Sequence, residues 1–267
     1  MSVVDDIDLE RRFGGLARLY GPLGAANIRA AHVAIVGLGG VGSWAAEALA
    51  RSGVDRLTLI DLDHVSESNI NRQVQATEAT VGQAKVLAMR DRIAVIHPLC
   101  QVTCIEEFVT PDNWLQLLPA GVDAVIDACD QVKTKVAMAA WSRQTRVNFI
   151  SVGAAGGKRL AHLVDIDDLA KTTHDPLLAQ LRYRLRKEHA AAREGRSMGV
   201  SCVFSREAVK QPDASCEVGM TDGTLNCHGY GSVVSVTATF GQCAAGWVLD
   251  KLANFVKPEI KSSKKPL

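Results

Sequence analysis

Residues 32–42 read His-Val-Ala-Ile-Val-Gly-Leu-Gly-Gly-Val-Gly, and this segment constrains the chain more than any other. An apolar run too short for a helix reads as a buried parallel strand. It breaks into glycines and then into Ser43–Arg51, where Trp44, Ala48 and Leu49 fall at helical spacing. Strand, glycine loop and helix in that order form a phosphate-binding turn. Gly37, Gly39 and Gly40 permit a tight turn and close backbone approach to a ligand. Gly42 lets helix and strand pack, and the first amides of the helix face an anion. A second apolar run, Leu57-Thr-Leu-Ile, closes at Asp61, where a carboxylate accepts both ribose hydroxyls of a nucleotide. The pattern predicts nucleotide binding and leaves the nucleotide open, because NAD-dependent oxidoreductases use the same device.

The alternation continues. Gln83–Ile96 has a 3.6-residue period, ended by Pro98. Val122–Asp127 predicts a strand, Lys133–Gln144 a helix, Val147–Val152 a strand and Leu160–Ile166 another. Alternation of this kind predicts an α/β fold with a Rossmann-like, doubly wound and mostly parallel sheet. With 267 residues, 47% of them hydrophobic, one domain over residues 1–255 accommodates it. Within it a helical and polar insertion is expected at about 174–200, and residues 256–267 form a lysine-rich tail expected to be disordered. A net charge of +1 argues against a general nucleic-acid coat and gives no reason to expect DNA as a partner. It leaves room for a local basic face.

Seven cysteines are scattered without a C-x-x-C pair, so no structural zinc is expected and a reducing cytoplasm is. The acidic start Met1-Ser-Val-Val-Asp-Asp does not read as a signal peptide. Residues 229–249 carry no charge over about a bilayer's span. Their Ser, Thr, Gly and Gln content reads as a buried core or subunit-interface helix, and membrane association is not expected.

The run Asp61-Leu-Asp-His-Val-Ser-Glu-Ser-Asn-Ile-Asn-Arg-Gln73, Lys85 thirteen residues after Arg72, and Val125-Ile-Asp-Ala-Cys-Asp130 resemble the signature of the E1-like adenylating superfamily. The resemblance implies that Asp61 holds the ribose of ATP, with Asp63 and Gln73 beside it. It implies that Asn69, Arg72 and Lys85 bind the phosphates and that Asp130 binds Mg²⁺, with Arg72, Lys85 and Asp130 in the catalytic role. The chemistry agrees, since expelling pyrophosphate requires cations around the phosphates. Gln131 departs from the asparagine that many relatives carry there.

A narrower resemblance rests on Arg11–Tyr20, Gly40–Arg51, Phe108–Asn113, Asp168–Thr172, Asp175-Pro-Leu and Cys202–Ser205. These are similar to the bacterial tRNA threonylcarbamoyladenosine dehydratase family. That family implies a tRNA substrate, ATP-dependent activation of a carboxylate on a modified adenosine, a homodimer and a neighbouring sulfur-transfer protein. By the same resemblance Arg12 and Arg18 are candidates for an arginine crossing between subunits, although the family's arginine spacing is not reproduced at Gly14-Gly15. Cys227 stands as a thiol candidate beside His228, against the reading of a small buried residue. The basic run Arg182, Arg184, Arg186 and Lys187 reads equally as a solvated helix face or as a contact to tRNA phosphates. Rival readings are an activator of a sulfur-carrier or ubiquitin-like protein, an NAD-binding oxidoreductase and a non-catalytic nucleotide-binding scaffold.

Overall fold

The computed structural model describes residues 7–254 except 146, 194 and 213–229. Seven strands form one sheet: β1 (His32–Val36), β2 (Arg56–Ile60), β3 (Gln101–Ile105), β4 (Ala124–Asp127), β5 (Asn148–Val152), β6 (Val164–Asp168) and β7 (Ser201–Ser205). Their order is β3-β2-β1-β4-β5-β7-β6. Every neighbouring pair is parallel except β6 with β7.

All five residues of β1 are buried because both sheet faces are covered. Val33 and Ile35 enter one core and Ala34 and Val36 the other, as the two-residue strand period requires. On the first face lie α2 (Gly15–Ala30), α3 (Gly42–Arg51), α4 (Lys85–Ile96) and α8 (Val234–Ala253). The short α1 (Leu9–Phe13) precedes them and buries Phe13. The second face is covered by α6 (Val132–Ser142) and α7 (Pro176–Glu188), with the four-residue α5 (Trp114–Leu117) beside them.

The strands expected around residues 35, 59, 125 and 150 are all present. The run expected as a strand over Leu160–Ile166 begins instead with a 3₁₀ turn at Ala161–Leu163, and β6 starts at Val164. Its register follows from antiparallel pairing with β7, where Ile166 faces Val203 and Asp168 faces Ser201. β3 and β7 were not expected. Gln101-Val-Thr-Cys-Ile alternates weakly, and Ser201-Cys-Val-Phe-Ser sits in a polar neighbourhood.

The stretch 229–249 contains most of α8, which is a core helix. Val236, Phe240, Ala244, Ala245 and Val248 are fully buried. At Gly241 a β-carbon would stand 2.5 Å from the Val41 carbonyl and 2.8 Å from Trp44 Cβ, so glycine brings α8 directly onto α3. Among the described residues no helix is long and apolar enough to cross a membrane.

Candidate active site

In this topology the strand order reverses between β1 and β4, and ligands of open α/β sheets bind at the carboxyl ends of such strands. A crevice of about 300 Å³ opens there. Gly37, Gly39, Gly40, Asp61, Asp63, Asn69, Arg72, Gln73, Lys85 and Asp130 all line it. Residues spread over almost a hundred positions are thus brought together in one crevice. Gly42 stands behind the loop rather than in the crevice. A β-carbon on it would lie 1.8 Å from the Gly37 carbonyl oxygen, so only glycine lets α3 start there. Gly37 itself adopts φ +89°, a left-handed conformation that favours glycine.

Asp61 fastens the loop. Its Oδ2 accepts from the Leu38 amide at 2.6 Å and its Oδ1 from the Asp63 amide at 2.9 Å. Burial pushes its carboxyl above the usual aspartate range, against the opposing pull of the Lys85 charge and the two amides. Lys85, the first residue of α4, is buried and donates from Nζ to Asp63 Oδ2 at 2.6 Å.

Arg72 follows the 3₁₀ turn Glu67–Asn69, whose capping box uses Ser66 and the buried Asn69. Its Nη1 donates to the Ser68 carbonyl and, at 2.9 Å, to Asn71 Oδ1. Trp44 Nε1 donates to the Arg72 carbonyl at 2.9 Å, which fixes the backbone against α3. Arg72 Nε, although buried, has no hydrogen-bond partner among the described residues. A buried cation with an unmatched N–H lining a crevice suits an anionic ligand.

Asp130, which also lines the crevice, is exposed, with Gln131 Nε2 donating to it at 3.3 Å. Neither group of three metal-ligating side chains nor closed cage accompanies it among the described residues. One carboxylate completed by nucleotide phosphates is the ordinary way to hold Mg²⁺, so the donor set fits that ion.

Sequence reasoning missed what lies beneath Asp130. Lys135 Nζ donates to Asp127 Oδ2 at 2.9 Å and to Ser151 Oγ at 3.2 Å, and Ser151 Oγ donates to Asp127 Oδ2 at 2.7 Å. All three side chains are fully buried. Burial, the largest single influence, disfavours the Lys135 ammonium, but the Asp127 charge and hydrogen bond together with the Cys129 and Cys202 sulfurs outweigh it and hold its pKa above the ordinary lysine value. The available signal was Asp127 itself, a carboxylate ending an apolar strand. Cys129 lines the crevice, and its thiol donates to Asp127 Oδ1 at 3.1 Å. Burial, then the Asp127 charge, push that thiol well above its usual range, so it is no activated nucleophile.

The model of the ThiF family matches residues 14–266. The chain belongs to the ThiF family. It is 44% identical over 255 residues to the tRNA threonylcarbamoyladenosine dehydratase of Haemophilus influenzae, an alignment spanning 94% of this chain and 97% of that one. The Escherichia coli tRNA N6-threonylcarbamoyladenosine dehydratase crystallised with ATP superposes with a TM-score of 0.82 at 43% identity, covering 91% and 94% of the two chains. By contrast, the molybdopterin-synthase adenylyltransferase of Salmonella typhimurium matches over 132 residues, 49% of this chain and 52% of that one.

Other expected residues of this ThiF-family protein are placed less centrally. Arg182 Nη1 donates to the Leu169 and Thr172 carbonyls and to Thr172 Oγ1, each at 3.0 Å, and so ties α7 to the segment after β6. Arg184 faces Glu188 at 3.9 Å, Arg186 Nε donates to the Ala192 carbonyl at 3.2 Å, and Lys187 is exposed. Arg12 Nη1 donates to the Ile96 carbonyl of the same chain at 2.8 Å. Cys227 and His228 lie outside the described residues, as do Cys216 and the lysine-rich tail.

Proposed function

We propose that the chain catalyses ATP-dependent dehydration of N6-threonylcarbamoyladenosine at position 37 of tRNA. A carboxylate is a poor electrophile, so the reaction begins by activating it. The threonyl carboxylate oxygen attacks the α-phosphorus of ATP, forming an acyl-adenylate as the bond to pyrophosphate breaks. The adjacent carbamoyl group then closes on the acyl carbon and AMP leaves, so the base loses one water while ATP becomes AMP and pyrophosphate. Ring closure is intramolecular and draws on proximity rather than on a protein nucleophile.

The observation that supports this reading best is the buried Arg72 with its unmatched Nε, lining the same crevice as Lys85 and the glycine loop in a chain that aligns almost end to end with named dehydratases. In this reading Gly37, Gly39 and Gly40 let the backbone approach the nucleotide, and Asp61 accepts the ribose hydroxyls. Asn69, Gln73, Arg72 and Lys85 hold the phosphates, with Lys85 exchanging its Asp63 partner for a phosphate oxygen. Asp130 would hold Mg²⁺, which supplies charge neutralisation for the departing pyrophosphate when bound. A homodimer, a sulfur-transfer partner and a cytoplasmic location belong to the same reading by family analogy.

The test is to incubate the full chain with ATP, Mg²⁺ and tRNA bearing threonylcarbamoyladenosine, then weigh the digested nucleosides. A mass loss of one water that depends on ATP is expected. Intact nucleoside in the presence of folded protein overturns the reading.

A further inference from the structure

The adenylating crevice explains how a carboxylate is activated but not how a long, flexible polyanion is held while one of its bases enters. The helix α7 leads away from the crevice and is anchored to it at one end. Asp175 caps α7, accepting from the Leu178 amide at 3.0 Å with Oδ1, while its Oδ2 accepts from the Ala154 amide at 2.9 Å in the crevice wall. Leu177 lines the crevice directly. Leu177, Leu178, Leu181 and Leu185 bury the inner face, which leaves Pro176, Gln180, Tyr183 and Lys187 along the solvent side.

On that outer stripe the Tyr183 ring is 63% exposed and packs against no core residue. Lys187 Nζ stands 5.8 Å from the ring centroid, a cation over one face of the π system. Arg184 adjoins it, and Arg193 and Arg196 are exposed just beyond the helix. An aromatic ring bordered by cations is how proteins hold unpaired nucleotides, since every base has a face to stack and a phosphate to neutralise.

The spacing suits the substrate. At roughly 1.5 Å per residue, Tyr183 lies about 9 Å along the helix from Leu177 and Lys187 about 15 Å. At about 3.4 Å per stacked nucleotide, that is a reach of about three to four nucleotides from a base seated in the crevice.

We propose that Tyr183, backed by Lys187, is a stacking platform for an unpaired base of the substrate RNA near the modified adenosine, with Arg184 and Arg193 on the adjoining phosphates. The assignment rests on the tRNA reading above and adds to it the residue that seats the loop. Tyr183 packs no core, so its replacement leaves the fold and ATP binding as they are.

The experiment compares wild type, Tyr183→Ala, Tyr183→Phe and Lys187→Ala, measuring affinity for threonylcarbamoylated tRNA across a salt series together with conversion of the nucleoside. Tyr183→Ala should bind about tenfold more weakly with an unchanged salt slope, because stacking is lost and no phosphate contact is. Tyr183→Phe should match wild type, and Lys187→Ala should lower the slope by about one. If wild type converts the nucleoside and Tyr183→Ala binds RNA equally well, the platform is refuted while the function stands. If wild type does not convert it, the tRNA reading fails and the platform falls with it.

Discussion

Lys85 lines the crevice and Lys135 is buried in α6, each with little or no exposed surface and each paired to an aspartate. Their partners differ. Asp63, opposite Lys85, has a side chain 71% exposed, whereas Asp127, opposite Lys135, is completely enclosed. An ion pair open to water on one side contributes little to stability, so its lysine exchanges one anion for another at small cost. An enclosed pair is different. Removing one member leaves an uncompensated buried charge, which is far costlier than the pair was worth. The same chemical group therefore sits in a pair open to exchange on the α4 side and in a closed fastening on the β4 side. There it holds the end of the strand from which Ala128, Cys129 and Asp130 reach the crevice.

The largest effect should come from breaking the enclosed pair. Lys135→Met should lower the unfolding free energy by about 3–5 kcal/mol, measured by urea denaturation. The double variant Lys135→Met with Asp127→Leu should recover much of that loss. Equal stability of Lys135→Met and wild type would erase the contrast drawn above. Next, Lys85→Ala should cut pyrophosphate release by about 10²–10³-fold, followed by a coupled phosphate assay, as loss of a charge-stabilising group does. Its unfolding free energy should stay within about 1 kcal/mol of wild type, because Asp63 remains solvated. Normal release would remove Lys85 from the phosphates.

The smallest effect concerns Asp61. Its folded-state pKa lies above the ordinary aspartate value because burial disfavours the charged form. Protonation therefore begins at a higher pH than for an exposed aspartate as the solution is acidified. ATP affinity should accordingly fall severalfold on the acid side above the usual aspartate range of about 4, and Asp61→Asn should flatten that limb. Equilibrium binding between neutral pH and the onset of acid unfolding checks it.

The nucleotide side of the crevice was legible in the sequence because its determinants are local. A glycine loop needs specific residues at fixed offsets, and Asp61, Arg72 and Lys85 follow it within fifty positions. The far side was not, because long-range pairing decides it. β7 inserts between β5 and β6, so nothing in the neighbourhood of Cys202 announces a central strand. The Asp127–Lys135–Ser151 cluster joins a strand, a helix and the next strand, and no spacing rule links them. The basic run was visible by composition. Only packing separated Arg182, engaged with backbone carbonyls, from the solvent-facing Lys187.

The position of α8 sets the order in which the molecule becomes competent during synthesis. Thr237 lines the crevice, and its Oγ1 donates to the Arg72 carbonyl at 3.4 Å, while its methyl stands against Gly40. The phosphate loop is thus backed by a helix that begins nearly two hundred residues downstream of it. A nascent polypeptide that stops short of α8 lacks Val236, Phe240, Ala244 and Val248, which share a core with Leu49, and has no finished wall behind its glycines. Termination anywhere upstream of Val234 would therefore leave the phosphate loop without the Thr237 contact that backs Arg72 and Gly40.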